Sequence, residues 1–238
     1  MILIAIQARM GSTRFPGKSM APLAGIPLIE HIVKRCHAST LANHVVVCTT
    51  NSPADDVLAA HVGTLHNTGL YRGSENDVLG RFANALLLYP TAEVVVRITA
   101  DDYALDPTLI DYAITAFLSG WAEPDPRVGS PHLVHLGGLT WALGMNVEVM
   151  SRQALECAAA NATAPEDREH VTPYIAQTYG VWTLKDEQHR STINERLTLD
   201  TPEDYSRATK IYNHCYERNQ LFGYSETLAA LAAMEQPT

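Results

Sequence analysis

Apolar residues fall along this chain in short runs of two periods, and their order predicts alternating strands and helices. Ile2 to Ile6 is an unbroken, mostly branched run followed by a polar, glycine-bearing loop, the pattern of a strand buried on both faces. From Pro27 to Ala38 the apolar positions Leu28, Ile29, Ile32, Val33 and Cys36 recur at helical spacing. His44 to Thr50 returns to a strand built on Val45, Val46, Val47 and Cys48. Pro53 to Val62 and Asp77 to Tyr89 predict helices, the second turning Val78, Leu79, Phe82, Leu86 and Leu87 inward. Glu93 to Ile98 predicts another branched strand, which runs out at Thr99, Ala100, Asp101 and Asp102, and Pro107 to Phe117 predicts the helix after it.

Beyond that helix the period breaks. Trp121 to Gly144 is rich in proline, glycine, histidine and tryptophan, and is expected to be an insertion, a pair of edge strands or a lid. Asn146 to Met150 predicts a strand, Arg152 to Ala160 and Glu169 to Gln177 helices, Arg196 to Leu199 a final strand, and Pro202 to Asn219 and Ser225 to Met234 two last helices. Strands alternating with helices imply an α/β protein with a mostly parallel sheet covered on both faces, and ligands in such sheets bind beyond the carboxyl ends of the strands. A length of 238 residues suits a single domain, 1–238, with 121–145 as an inserted lid or dimerisation element.

Composition narrows the partners. A formal net charge of -9 repels nucleic acid and anionic lipid, and no apolar run approaches the ~20 residues a membrane helix needs, so neither nucleic acid nor a membrane is expected. Cys36, Cys48, Cys157 and Cys215 are far apart with no metal-ligand spacing, which reads as reduced thiols in a cytoplasmic protein.

The loop after the first strand, Gln7-Ala8-Arg9-Met10-Gly11-Ser12-Thr13-Arg14-Phe15-Pro16-Gly17-Lys18, concentrates three cations among small and hydroxyl residues. Arginine grips phosphate oxygens as a fork and lysine adds a mobile point charge, a chemistry suited to a triphosphate and its departing pyrophosphate. The loop matches neither the P-loop nor the dinucleotide glycine pattern. Asp101, at the end of the strand over 93–98, is placed to hold Mg2+ against phosphate oxygens, whereas Asp102 is equally explained as a helix cap. In Arg196 to Asp204, Thr201, Pro202 and Asp204 form an ordinary helix start, but Asp200 has no such role and sits at a strand end as Asp101 does.

These three segments, together with Gly73 to Arg81 (GSENDVLGR), Gly144 to Val149 (GMNVEV) and Arg168 to Tyr174 (REHVTPY), resemble the cytidylyltransferases related to spore-coat polysaccharide biosynthesis proteins, relatives of the CMP-sialate and CMP-KDO synthetases. The resemblance runs from Met1 to about Arg207. It implies a Rossmann-like nucleotide-diphospho-sugar transferase fold, CTP held by the first loop, Mg2+ on Asp101 and Asp200, and a homodimer. It implies in-line attack of an acceptor oxygen on the α-phosphorus, with Arg9 and Lys18 catalytic and His170 orienting the acceptor or serving as base. Gln7, Ala8, Gly11, Ser12, Thr13, Arg14, Thr50, Asn51, Arg72 and Asp77 complete the expected nucleotide site, although an i,i+4 pair with Arg81 also explains Asp77.

On the acceptor side the expected residues are Arg97, Asp102, Tyr103, Asn146, Glu148, Glu169 and His170. The family's usual cysteine and proline are replaced by Asp102 and Tyr103, and its usual aspartate by Asn146, so the acceptor is expected to depart from the family's typical sugar. The expected acceptor is a small anion, either a sugar acid of the sialic or KDO type or a phosphonate. The competing expectations are a nucleotide-sugar-dependent glycosyltransferase and a non-catalytic nucleotide-binding protein. The charge density of the first loop weighs against the former, and the Arg9, Lys18, Asp101, Asp200 set against the latter.

Overall fold

The computed structural model describes residues 1–123, 130–137, 141–185 and 195–234. Its centre is a seven-stranded sheet. β1 (Ile2–Gln7) lies between β4 (His44–Thr50) and β6 (Val94–Thr99), and all three run parallel, with Ile4 beside Val45 and Val96. β5 (Thr68–Gly73) adds in parallel to β4 at one edge. On the other side β8 (Val147–Ser151) pairs antiparallel with β6, then β7 (Leu133–Leu136) antiparallel with β8, and β9 (Trp182–Leu184) parallel with β7. A small hairpin of β2 (Pro22–Leu23) and β3 (Ile26–Pro27) stands apart.

Side-chain alternation along β1 divides the core. Ile4 and Ile6 face α1 (Leu28–His37), α2 (Asp56–Val62), α4 (Pro107–Ala122), α8 (Pro202–Cys215) and α9 (Tyr224–Met234). Leu3 and Ala5 face α3 (Val78–Ala85), α5 (Arg152–Asn161) and α7 (Pro173–Tyr179). Both faces of the central strands are therefore apolar, as the unbroken runs require. No helix among the described residues is long and apolar enough to cross a membrane.

Several elements differ from the sequence expectation. β5 escapes the hydrophobic pattern because Gly69 leaves a gap in it; a Cβ there would come within 2.0 Å of the Tyr89 hydroxyl. The helix expected over Asp77 to Tyr89 tightens into a 3-10 turn at Leu86, and Leu87, expected inward, is 73% exposed. Arg196 to Leu199 is no strand. Arg196 makes an isolated bridge to Leu143, and the N–H of Leu199 donates to the Asp101 carbonyl at 2.9 Å. The segment expected to be irregular contains β7, one strand in from the sheet edge. Its Trp141 is buried with Nε1 donating to the Leu184 carbonyl, while Trp121 ends α4. Residues 124–129 and 138–140 of that segment lie outside the described residues.

The helix expected over Glu169 to Gln177 is two. α6 (Pro165–His170) ends, Val171 takes φ 71° and ψ -54°, and α7 begins at Pro173, whose missing N–H cannot continue the first helix. The N–H of Thr172 donates to the His170 carbonyl at 2.8 Å. That makes Val171 the centre of a γ-turn of the rare, strained kind, costly for a β-branched residue.

Candidate active site

The carboxyl ends of β1 and β6, the loop before α8 and the end of α6 surround a cleft of about 340 Å³. The Gln7–Lys18 loop forms one wall, and its path is fixed by its own backbone. The Met10 carbonyl accepts from the N–H groups of Ser12 and Gly17 at 2.9 and 3.0 Å, and the Ser19 hydroxyl donates to the Arg9 carbonyl. Gly17, at φ 78°, takes the left-handed turn that sends Lys18 back toward the cleft.

At the cleft floor the Lys18 ammonium donates to Asp101 Oδ2 and Asp200 Oδ1, each at 2.8 Å. Arg196 and Arg14 also reach Asp200, at 2.7 and 3.1 Å. Arg196 is braced in turn by Asp204, the capping-box residue of α8. Burial works against the charge on Lys18, but Asp101 and Asp200 outweigh it and hold its pKa above the ordinary lysine value. Burial likewise works against the Asp200 carboxylate, yet Lys18, Arg14 and Arg196 keep its pKa below the usual carboxylate range.

Two carboxylates converging on one cation, beside an open cleft, fit the way magnesium is held by one or two protein carboxylates and completed by substrate phosphates. No cluster of three or more histidine, cysteine, aspartate or glutamate side chains among the described residues offers a complete metal cage.

Twelve expected residues line this cleft. Gln7, Ala8, Arg9, Gly11, Ser12, Thr13, Arg14 and Lys18 come from the loop, Asp101 and Asp200 from the floor, and Glu169 and His170 from α6. Glu169 and His170 end their helix rather than begin one, and the Val171 turn separates them from Thr172. The Thr172 hydroxyl donates to Glu148 Oε1 at 2.7 Å.

Arg97, Asn146 and Glu148 line a neighbouring pocket of about 220 Å³ with Thr99 and His135. Thr99 borders both cavities. There Arg97 is paired with Glu148 and donates to Gln7 Oε1 at 3.0 Å. A third recess, about 300 Å³, is lined by Gln7, Arg9, Glu75, Asn76, Val78, Pro165 and Glu169.

The remaining expected residues lie away from these cavities. Thr50 is buried, and its hydroxyl donates to Asp55; Asn51 is exposed beyond it. Arg72 does not reach toward a ligand: it pairs with Asp56 at 2.7 Å and donates to the Thr50 and Ser52 carbonyls. Asp77 does not pair with Arg81. It caps α3 at Gly80 and is gripped by Arg168 through two bonds of 2.8 and 2.5 Å, while Arg81 is buried against the Ser74 and Glu75 carbonyls.

Tyr103 is fully buried in the core beside α8, the Tyr212 hydroxyl donating to its carbonyl, and so does not face an acceptor. Asp102 lies buried behind the second pocket, accepting from the Thr99 hydroxyl. Burial, and then the neighbouring Asp101 charge, push the Asp102 carboxyl well above the usual range.

Residues to which the sequence assigned no role include Thr99, His135, Glu75 and the positioning residues Asp55 and Arg168. Asp55 follows Ser52 and Pro53 and looks like a routine acid at a helix start, and no spacing announces that it reaches the Met10 N–H.

Comparison with known proteins agrees with this geometry. The cytidylyltransferase family model matches residues 3–228. The spore coat polysaccharide biosynthesis protein SpsF of Bacillus subtilis (strain 168) is 32% identical over 225 residues, covering 91% of this chain and 88% of that protein. A cytidylyltransferase from Leptospira borgpetersenii superposes with a TM-score of 0.84 at 27% identity, over 100% of this chain and 98% of that one. A CMP:2-keto-3-deoxy-manno-octonic acid synthetase solved with CTP shares the fold, with a TM-score of 0.63 at 15% identity, over 90% of this chain and 98% of the other. Family match, near full-length relatives and fold agree: the chain belongs to the cytidylyltransferase family and is a nucleotidyltransferase.

Proposed function

We propose that the protein transfers CMP from CTP to a small anionic acceptor and releases pyrophosphate. The observation that carries this reading is the Lys18, Asp101, Asp200 cluster at the floor of a cleft that Arg9 and Arg14 also line. Arg9, Arg14 and Lys18 meet the triphosphate, and the small residues Gly11, Ser12 and Thr13 let it approach the backbone. The recess between Asn76 and Pro165, which shares Gln7, Arg9 and Glu169 with the cleft, takes the base.

Asp101 and Asp200 would hold Mg2+, which when bound neutralises phosphate charge and makes the α-phosphorus more electrophilic. An acceptor oxygen forms a bond to the α-phosphorus. The bond from that phosphorus to the bridging oxygen breaks, and its electron pair leaves with pyrophosphate. Arg9, Arg14 and Lys18 stabilise the charge on the departing group. Where the attacking group is a hydroxyl, an imidazole nitrogen of His170 receives its proton; an ionised phosphonate oxygen needs no base. The second pocket, across Thr99, receives the body of the acceptor.

The test is pyrophosphate release from each of the four ribonucleoside triphosphates with Mg2+, against sugar acids, sugar phosphates and small phosphonates, with Asp101→Ala as control. Release with CTP and one acceptor class, lost in the control, is expected. Release with another triphosphate but not with CTP, or none across the panel, contradicts the reading.

A further inference from the structure

Resting on the transfer reaction proposed above, we infer that the acceptor carries a protonated amine at the end remote from its attacking oxygen, and that the pocket between Arg97, Thr99, His135, Asn146 and Glu148 receives that ammonium group. The inference comes from where the pocket's hydrogen-bond donors already point. The Thr99 hydroxyl donates to Asp102 Oδ2 at 2.9 Å, so its lone pairs are what remain for a ligand. Asn146 Oδ1 is turned toward Gly137, where a Cβ would lie within 2.4 Å of that oxygen and 2.7 Å of His135 Nε2. Glycine at this position keeps both atoms open to the pocket.

The guanidinium lining the pocket already has a partner on each terminal nitrogen. Arg97 spends Nη1 on Glu148 and Nη2 on Gln7 Oε1. Glu148 accepts additionally from Thr172 and adds a carboxylate to the same wall. The wall thus offers the Thr99 and Asn146 oxygens and Glu148 beside a cation that is paired. A second anionic group there would meet acceptors and a carboxylate, at a desolvation cost with no unpaired charge to offset it, whereas an ammonium brings three donors. Asp102, buried behind, acts through Thr99 and is a positioning residue.

The test uses short alkylphosphonates of equal length ending in an amine, a methyl or a carboxylate, with an amino sugar acid beside its hydroxyl counterpart. Two readouts are needed: pyrophosphate release with CTP and Mg2+, and calorimetric binding to enzyme loaded with a non-hydrolysable CTP analogue. The amine-bearing member is expected to bind at least tenfold more tightly than its methyl or hydroxyl counterpart, and the carboxylate-ended one most weakly. Glu148→Gln, which leaves Arg97 unmatched, is expected to invert the order of amine and carboxylate. Asn146→Leu is expected to abolish the amine preference, and neither variant to change affinity for the CTP analogue.

Equal or better binding of the methyl- or carboxylate-ended compound by the unaltered protein overturns the inference while leaving cytidylyl transfer intact. An absence of pyrophosphate release with every acceptor sinks the transfer reading, and the binding order then still decides the character of the pocket. Failure of the amine compound to bind overturns the inference outright.

Discussion

The Asp55 carboxylate accepts the backbone N–H of Met10 at 2.7 Å, so an acid at the head of α2 fixes the middle of the cation-bearing loop. Its other oxygen accepts from the Thr49 hydroxyl, the Thr50 N–H and the Thr50 hydroxyl at 3.0, 3.1 and 2.5 Å, and the residue is buried. Asp55→Asn puts an NH2 group against one of these donors and is expected to cost about 1–3 kcal/mol in denaturant unfolding, and to raise KM for CTP more than it lowers kcat.

The pH dependence of that loss has a definite sign. Burial alone would raise the Asp55 pKa, but the bonds from Thr50, Met10 and Thr49 outweigh it and hold the pKa below the ordinary value. A folded-state pKa below the unfolded one contributes stability that is full above the unfolded pKa of about 4 and is lost as pH falls through the folded value. The difference in Tm between the protein and Asp55→Asn is therefore expected to be widest near neutrality and to shrink below about pH 4. A difference that grows on acidification would contradict this account.

Lys18 is the only side chain that the structure places within hydrogen-bonding distance of both Asp101 and Asp200, among the described residues. Lys18→Met is expected to lower kcat/KM for pyrophosphate release by about 10²–10³, the usual size of losing one charged group aimed at a leaving anion. Lys18→Arg is expected to rescue little, because a planar fork cannot place one point charge between two carboxylates. Steady-state kinetics on the two variants decide it; full rescue by arginine would mean that only net charge matters.

Arg168 and Asp77 lock α6 onto α3 through a two-bond pair, and α6 carries Glu169 and His170 into the cleft. Burial opposes the Asp77 charge, but Arg168 and the Gly80 N–H keep its pKa below the usual range. A double-mutant cycle with Asp77→Ala and Arg168→Ala is expected to give a coupling energy of about 1 kcal/mol, modest because both side chains are partly exposed. The single variants are also expected to lower kcat several-fold, and a coupling near zero would mean that α6 is held by its other contacts.

Local chemistry was legible in the sequence wherever one segment supplied it whole. The branched runs gave β1, β4 and β6 because a strand buried on both faces needs no partner information. The loop cations and Asp101 follow the ends of β1 and β6, whereas Asp200 follows a segment that forms no strand. What escaped depended on pairs distant in the chain. Arg81 looked like the partner of Asp77 at four residues' spacing, but Arg168, 91 residues away, offers a fork that fits both carboxylate oxygens. Tyr103 follows directly on Asp102, yet the turn at the end of β6 sends its ring into the core. The ordinary helix reading of Glu169 to Gln177 failed at Val171, where the chain accepts strain that no propensity favours.

Gly144 offers the sharpest test of how the cleft floor is held. It sits at φ 107°, and a Cβ would come within 2.5 and 2.6 Å of the Leu197 carbonyl carbon and oxygen and 2.9 Å of the Thr198 nitrogen. The two chain segments cross here. The Leu143 N–H donates to the Glu195 carbonyl at 2.9 Å, and the Leu197 N–H to the Leu143 carbonyl at 2.6 Å. The stretch pinned in this way ends at Asp200, which is also held by the Lys18 and arginine cluster and by its own N–H donating to Asp204 Oδ2 at 3.0 Å. Gly144→Ala must hold an L residue at positive φ and also push the crossing backbones away from each other. The left-handed conformation alone costs roughly 1–2 kcal/mol and the clash adds to it, so a Tm lower by about 5–15 °C is expected. Displacement of Leu197 carries Asp200 with it, so kcat is expected to fall further than the lost stability explains, even at temperatures where the variant is fully folded. A variant that melts like the parent and turns over at the same rate would show that the 195–200 segment can move away without disturbing Asp200, which Lys18, the arginines and Asp204 would then hold in place.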